Sequence, residues 1–427
     1  MMGAALAPEP HPVMVLPFVL LLLCIAVLPF LGRGWWERHY PKVALGLGTV
    51  TVIYYLALIK APGRVMQVGH EYVSFMALIG SLYVVSGCIH IRVKGEAKPW
   101  INCTFLVLGS VLANIIGTTG ASMLLIRPWL RMNKYRITSF HIIFFIFLIS
   151  NVGGSLTPVG DPPLFLGYLH GVPFWWVIRH CWAGWAFAVA GLVGIFWVLD
   201  RRNFERASRE VRDRATAHET WTFEGLPNLA ALGLILTAVF LREPPGLSEG
   251  LMLLAAVAAY CTTPRRIHES NEFSFGPVRE VAWLFGGIFA TMIPALDYLQ
   301  LHSSQVGLDS SMKLFWVTGA LSSVLDNAPT YLTFLAVAMG RHGLSLNSVQ
   351  DVRTFVGQHE HELLAISLGA VFFGAMTYIG NGPNFMVKSM AEQAKVRMPS
   401  FFGYMLRYAI PILLPLFAAA SILFFAR

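Results

Sequence analysis

The chain alternates long apolar runs with short polar segments. The first run, residues 13–32, reads VMVLPFVLLLLCIAVLPFLG. It has the length that crosses the hydrocarbon core of a bilayer, roughly 20 residues. Similar runs recur along the sequence, and each predicts a helix that spans a membrane. The predicted spans lie at about residues 13–32, 43–61, 71–91, 138–168, 174–199, 226–241, 249–263, 278–299, 363–395 and 405–426.

Two further apolar stretches, about residues 101–130 and 311–340, differ from these spans. Each is long for one crossing and too short for two. Polar or helix-breaking residues interrupt the middle of each, as ANIIGTTGAS in the first and SVLDNAPTYLT in the second. Irregular backbone is tolerated at membrane depth only where protein or a water-filled cavity covers it. We therefore predict two re-entrant hairpins.

The predicted spans 138–168 and 363–395 each contain residues that break a helix. The first includes LTPVGDPPLFLG and the second includes TYIGNGPNFM. Proline removes a backbone donor and frees carbonyls upstream, while glycine permits a tight turn. The freed carbonyls can bind a cation, and the N-terminus of the following half-helix can bind an anion. The residues assigned to the two breaks are Pro158, Gly160, Pro162, Pro163, Gly380 and Pro383.

The two breaks resemble each other in sequence, which indicates an internal repeat. GSLTPVGDPPLFLG lies 220 residues before GAMTYIGNGPNFMV, and SVLAN at 110–114 recurs as SVLDN at 323–327. Each half thus offers a hairpin tip followed by a broken helix. The predicted organisation is an N-terminal transmembrane helix (1–42), a first repeat (43–199), a charged cytoplasmic linker (200–225), a linking transmembrane helix (226–248) and a second repeat (249–427).

Charge gives the predicted topology. Lys and Arg are biased to cytoplasmic loops, and here they cluster between the apolar runs. If neither hairpin crosses the membrane, this distribution of charge places both termini outside. The two hairpins then enter the membrane from opposite sides. Inverted repeats with discontinuous helices are the layout of secondary transporters. The predicted fold is therefore an all-α polytopic membrane protein of inverted-repeat type, with two re-entrant hairpins and two broken helices.

Composition excludes several classes of function. The chain is 56% hydrophobic and 13% charged, and its net charge of +8 lies in loops rather than in a nucleic-acid-binding patch. The five cysteines form no CxxC pair, and no cofactor is expected. No nucleotide-binding motif and no nucleophile–base or metal triad of an enzyme is present in the sequence. Transport would therefore draw on an ion gradient.

The candidate site consists of oxygen-bearing residues at the breaks and hairpin tips. An ionisable residue inside a membrane span is costly and marks function by default, and Asp161 and Asp326 supply one carboxylate from each half. Such a carboxylate can hold a proton or a cation, which is the basis of proton/cation exchange, although each could also cap a helix. The other candidate oxygens belong to Thr157, Thr377, Asn381, Asn114, Thr118, Thr119, Ser122, Asn327 and Thr330.

Two other polar positions are interpreted as peripheral. His359 and His361, in GQHEHEL, lack the HExxH spacing of zinc proteases and are assigned to an external loop. Asp297 is assigned to the external membrane surface.

The segments GGSLTPVGDPPLFLG, TYIGNGPNFM, SVLDNAPTYLTF and LFGGIFATMIPAL resemble the ion-transporter superfamily, over roughly residues 13–426. Within that superfamily, its sequence most resembles bacterial chains described as sodium:proton antiporters or citrate transporters. The resemblance implies a homodimer and Na⁺ sites at each hairpin tip and break. Carried over, the first site would use Asn114, Thr118, Thr119, Thr157 and Asp161, and the second Asp326, Asn327, Thr330, Thr377, Asn381 and Asn384.

The leading hypothesis from the sequence is Na⁺/H⁺ antiport through Asp161 and Asp326. The alternative is cation-coupled transport of citrate or another carboxylate, bound at the half-helix N-termini. Arsenite efflux is a lesser alternative that rests on the resemblance alone. The expected partners are Na⁺, H⁺ and membrane lipid.

Overall fold

The computed structural model describes residues 9–92, 98–206, 222–241 and 243–426, and the description below concerns these residues. The fold is all-α, as the sequence predicts. Eight helical segments are long and apolar enough to cross a membrane. The two short strands, β1 (His90–Arg92) and β2 (Thr222–Glu224), form one antiparallel pair.

The helices follow one another along the whole described chain. In order they are α1 (Leu16–Leu31), α2 (Arg33–Ile53), α3 (Pro62–Gly87), α4 (Pro99–Met132), α5 (Ser139–Leu148), α6 (Pro162–His170), α7 (Phe174–Arg206), α8 (Asn228–Ala238), α9 (Leu247–Thr262), α10 (Arg265–Ser270), α11 (Gly276–Leu301), α12 (Ser311–Ser322), α13 (Asn327–Arg341), α14 (Val349–Gln358), α15 (Glu360–Phe373), α16 (Gly382–Gln393), α17 (Phe401–Tyr404) and α18 (Ile410–Phe425). Short 3₁₀ and π turns join several of them.

Helix α4 is a hairpin that folds back at Gly117. This glycine has φ 76° and ψ 155°, a conformation that side chains rarely adopt. Asn102 and Asn133, 31 residues apart, share a hydrogen bond of 2.8 Å. In a straight helix they would lie about 46 Å apart. The stretch at 101–130 is therefore two antiparallel arms joined at one tip, and its re-entry into the membrane stays a prediction.

Helices α12 and α13 form the second hairpin, whose tip is residues 323–326. At the tip, Asp326 Oδ1 accepts a hydrogen bond from the backbone N–H of Ala328 at 3.0 Å and so caps α13. At the open end, the Arg341 guanidinium donates to the carbonyl of Leu308, just before α12. The contact joins the far ends of the two arms, so this stretch also returns to its starting side.

Both predicted broken helices are broken. Helix α5 ends at Leu148, and α6 begins at Pro162 after a 3₁₀ turn and an extended segment. In the second half, α15 ends at Phe373 and α16 begins at Gly382 after the same sequence of conformations. The residue before each half-helix is extended, with φ/ψ of −141°/143° at Asp161 and −151°/141° at Asn381.

Other parts of the chain depart from the sequence-based expectation. The predicted loop at 33–42 is helical, because α2 begins directly after Gly32. The predicted linking span is the 11-residue helix α8, about 16 Å long and shorter than a bilayer core. The predicted linker starts inside α7, which continues to Arg206, and residues 207–221 lie outside the described residues.

A buried polar cluster joins the two ends of the first hairpin to α5 and α7. Asp200 accepts hydrogen bonds from Arg136 Nη2 (3.0 Å), Asn102 Nδ2 (2.9 Å) and His141 Nε2 (2.9 Å). Asn133 bonds Asn102, which brings the second arm into the same cluster. The side chains of Asp200 and His141 are fully buried. We call these five residues the foot cluster.

Candidate functional site

Asp161 lies at the centre of a hydrogen-bonded group built from both halves of the chain. Its Oδ1 accepts from the Thr118 hydroxyl at 2.8 Å and from Asn381 Nδ2 at 3.0 Å. Its Oδ2 accepts from Asn327 Nδ2 at 2.6 Å. The carboxylate is 1% exposed, and all three donors are neutral. The structure therefore places one buried carboxylate among hydroxyl and amide donors without an adjacent positive side chain in this group.

The four side chains of this group occupy equivalent places in the two halves. Asp161 and Asn381 each precede the half-helix after a break, 220 residues apart. Thr118 and Asn327 each begin the second arm of a hairpin, directly after the tip. Equivalent positions of the two halves thus converge on one point, and the pair at the breaks is Asp161 bonded to Asn381.

The residues that the match between SVLAN and SVLDN aligns do not occupy equivalent positions in the structure. Asn114 lies in the first arm of its hairpin, and its carbonyl accepts from the Thr157 hydroxyl at 2.6 Å. The corresponding bond in the second half runs from the Thr377 hydroxyl to the carbonyl of Ser323 at 2.5 Å. Ser323, rather than Asn327, is therefore the counterpart of Asn114. The two tips differ in position along this match, since the first hairpin turns at Gly117 and the second turns over residues 323–326.

Several predicted ligands brace the breaks instead of joining the group around Asp161. Asn114 donates to the carbonyl of Gly153 at 2.6 Å and accepts from the N–H of Leu156 at 2.8 Å. Asn384 donates to the carbonyls of Gly374 and Thr377 at 2.8 and 2.9 Å. Both amides satisfy backbone groups that the missing helical turn would leave unpaired. These asparagines, with the two break threonines, hold the backbone that positions Asp161.

Two other predicted residues lie at the second hairpin tip. Asp326 caps α13, and the Thr330 hydroxyl donates to the Asp326 carbonyl at 2.9 Å. In the described chain Asp326 does not join the hydrogen bonds around Asp161. The two carboxylates that the sequence treated alike therefore make different hydrogen bonds, since Asp326 caps α13 and Asp161 accepts from three side chains.

A pocket opens beside the Asp161 carboxylate. Its wall combines the first hairpin tip and break with the apolar helix α3. Asn327, whose amide donates to Asp161, has a buried Oδ1 with no hydrogen-bond partner among the described protein atoms. Oxygen atoms of this kind are what a hard cation binds. Residues that line the pocket include Leu78, Leu82, Thr118, Thr119, Pro158 and Phe165.

The close packing around Gly160 leads to a testable prediction about the backbone at the first break. A Cβ added at Gly160 would lie 2.1 Å from the Gly154 carbonyl oxygen and 2.8 Å from Asn114 Oδ1, and the Gly160 carbonyl already accepts from the Thr118 N–H. We expect Gly160→Ala to reduce the free energy of unfolding by about 1–3 kcal/mol and to reduce transport, because the clash displaces Thr118 from Asp161. Thermal unfolding and uptake by the purified protein measure both effects.

Gly382→Ala is the matched control, because Gly382 begins the other half-helix and an added Cβ there meets no described atom within 4 Å. Its effect is expected within about 0.5 kcal/mol. Equal behaviour of the two variants would show that close packing at the first break is unimportant.

Two charged residues outside the group around Asp161 are buried, although the sequence did not predict their burial. Asp297, assigned to the external surface, is 1% exposed, because it accepts from the Tyr55 hydroxyl at 2.8 Å and pairs with Arg64 at 3.1 Å. Asp200, assigned to a linker, is the centre of the foot cluster. The only sequence signal for Asp200 was its position directly after an apolar run, which does not distinguish a buried acid from a solvated one.

Comparison with known proteins gives one finding that covers nearly the whole chain. A family model described as "Putative citrate transport" matches residues 9–425. The comparison with curated proteins finds no match.

Proposed function

Since the chain belongs to the citrate-transport family that matches residues 9–425, we propose that it carries citrate or a related carboxylate across the membrane, coupled to a cation. The family and the helical membrane fold make it an integral membrane protein and a transporter. The observation that carries the finer proposal is the single buried carboxylate of Asp161, which both halves hold with neutral donors.

Electrostatics explains why such a site needs a cation. A carboxylate substrate beside ionised Asp161 would meet repulsion of about 4 kcal/mol for two unit charges 4 Å apart at an effective dielectric constant of 20. A bound Na⁺ or proton removes that charge. Anion binding then becomes favourable at the N–H groups of the half-helices that begin at Pro162 and Gly382. Cation and anion would therefore bind together, which is the physical basis of symport.

Both candidate coupling ions suit the group. A proton would sit on the Asp161 carboxylate itself. Na⁺ would bind the Asp161 carboxylate and the hydroxyl oxygen of Thr118. The Asn327 amide now donates to Asp161, and it would add its unpaired oxygen as a ligand if it turned over. The Asn and Thr side chains supply no competing positive charge, so either ion can occupy the site.

Na⁺/H⁺ antiport is the second candidate function. It is favoured by the same carboxylate, which can hold a proton or a cation but not both well. Na⁺/H⁺ antiport requires no organic anion. The two functions differ in one measurable respect, because only the antiporter moves protons in response to Na⁺ alone.

An ion panel in proteoliposomes separates the two functions. We expect labelled citrate uptake to saturate and to rise about 5- to 150-fold with Na⁺ or an inward proton gradient, the range of ordinary coupling free energies. Li⁺, K⁺ and protein-free liposomes complete the panel. A pH gradient that collapses on Na⁺ addition without citrate would instead assign antiport. Absence of both responses would refute both functions.

Placement and assembly are part of the same proposal. The loop charges lead us to propose that both termini lie outside, and the resemblance to bacterial transporters leads us to propose a bacterial inner membrane. The resemblance leads us to propose a homodimer. Cysteine labelling of loops from either side and chemical cross-linking in membranes test the two statements separately.

A further inference from the structure

Three helix ends meet at one place away from the Asp161 group. His342 is the C-cap of α13, and His359 lies between α14 and α15 as the C-cap of one and the N-cap of the other. Glu362 lies in the first turn of α15. The fold thus brings together two imidazoles and a carboxylate that are separated in sequence by up to 20 residues.

The three side chains lie in direct contact. His342 Nε2 is 3.0 Å from Glu362 Oε1, and the rings of His342 and His359 stack with centroids 3.5 Å apart. One ligand atom of each residue lies within 4.8 Å of the other two. The ring of Phe355 packs against both imidazoles and closes the inner side of the group. His342 and Glu362 retain 25% and 14% side-chain exposure, so an ion can reach them from solvent.

The helix ends favour a cation at this place. A helix C-terminus carries partial negative charge and stabilises nearby positive charge. Two such C-termini, those of α13 and α14, present His342 and His359 here. The arrangement therefore combines two imidazole nitrogens and one carboxylate oxygen with two helix C-termini that favour a positive ion.

We propose that His342, His359 and Glu362 bind a divalent transition-metal ion of the zinc class. Two imidazoles and a carboxylate leave a fourth coordination position for water. Ligand atoms around tetrahedral zinc lie about 3.4 Å apart, as follows from metal–ligand distances of about 2.1 Å. His342 and Glu362 lie 3.0 Å apart, and the three ligand atoms lie within 4.8 Å of one another. The two stacked imidazoles would have to tilt so that their nitrogens converge on one ion.

The partial positive charge at the N-terminus of α15 opposes the ion, and so does the neighbouring cation Arg341. Its Nη1 lies 3.5 Å from Glu362 Oε2, while the oxygen that faces His342 is Oε1. The arginine therefore pairs with the outer oxygen and leaves the inner oxygen for the metal. It also reduces the affinity through like-charge repulsion. Mg²⁺ and Ca²⁺ prefer all-oxygen ligands and are not expected to compete at this site.

Metal binding by the purified full chain tests the proposal without any transport assay. Tag-free protein in citrate-free buffer, since citrate chelates metals, is titrated with Zn²⁺ against a chromophoric chelator and separately with Co²⁺. We expect one Zn²⁺ per chain, unaffected by excess Mg²⁺, and a visible Co²⁺ spectrum of low coordination number. The key variant is His359→Gln, which leaves the Glu362 contacts to His342 and Arg341 in place. It should weaken binding by more than about tenfold.

His361→Gln is the matched control, because His361 is exposed and only two residues away. It should bind Zn²⁺ like the wild-type chain. Unchanged affinity in His359→Gln, loss of binding in His361→Gln alone, or absence of Zn²⁺ binding to the wild-type chain would each overturn the proposal. His342→Gln should reproduce the loss, and size-exclusion profiles exclude misfolding as its cause.

Discussion

Asp161→Asn is expected to abolish cation-coupled transport while the protein still inserts and folds. Asparagine keeps the shape of the side chain but cannot be ionised, so neither Na⁺ nor a proton is bound at the centre of the group. Removing one partner of a buried charge interaction costs about 2–5 kcal/mol, which is a loss in cation affinity of at least about 30-fold. Citrate uptake at several Na⁺ concentrations measures this loss directly.

Asp326→Asn is the control for Asp161→Asn. Asparagine caps a helix about as well as aspartate, and the structure gives Asp326 the role of capping α13. Uptake by this variant should stay within a few fold of wild type. Full cation-dependent uptake by Asp161→Asn would remove Asp161 from the proposed role. Equal losses in both variants would instead favour the two-carboxylate mechanism predicted from the sequence.

Asp200→Ala is expected to cause the largest loss of stability. It leaves Arg136 buried without its carboxylate and removes the acceptor for His141 and Asn102. Breaking a buried ion pair by removing one partner costs about 3–5 kcal/mol, because an uncompensated charge remains. The thermal unfolding temperature and the free energy of unfolding in detergent should both fall, and the first hairpin should become accessible to proteolysis.

Arg201, the next residue of α7, provides the comparison for Asp200→Ala. Arg201 pairs with Glu205 at 3.0 Å, but both side chains are more than 60% exposed. Arg201→Ala should therefore cost less than about 1 kcal/mol. The double variant Arg136→Met with Asp200→Leu should recover part of the loss, because apolar replacement of a buried pair is often neutral. Equal stability of Asp200→Ala and Arg201→Ala would contradict the importance of the foot cluster.

Local sequence predicted the parts of the fold that proline, glycine and apolar runs determine. The breaks at Pro158–Pro163 and near Pro383 were predictable, because proline cannot continue a helix hydrogen-bond ladder. The fold-back of α4 was predictable from GTTG within an apolar stretch. In both cases the deciding interaction lies within a few residues along the chain.

Partners that are distant in sequence were not predictable in the same way. Asp200 looks like the first residue of a charged linker, and only the fold shows that Arg136 and His141 surround it. His359 pairs with His342 rather than with its neighbour His361, because a helix junction turns the two neighbours in different directions. The candidate site shows the same limit, since Asn327 and Asn381 reach Asp161 only after the two halves pack together.

The pairing of Asp161 in one half with Asn381 in the other has a consequence for the carrier without bound substrate. In an inverted-repeat transporter, exchanging the conformations of the halves converts an inward-open chain into an outward-open one. Identical halves would make these two orientations degenerate in energy. Here the ionisable group belongs to one half, and its counterpart Asn381 carries none. An exchange of this kind would therefore connect two orientations of different energy, and we expect the carrier without substrate to prefer one side of the membrane.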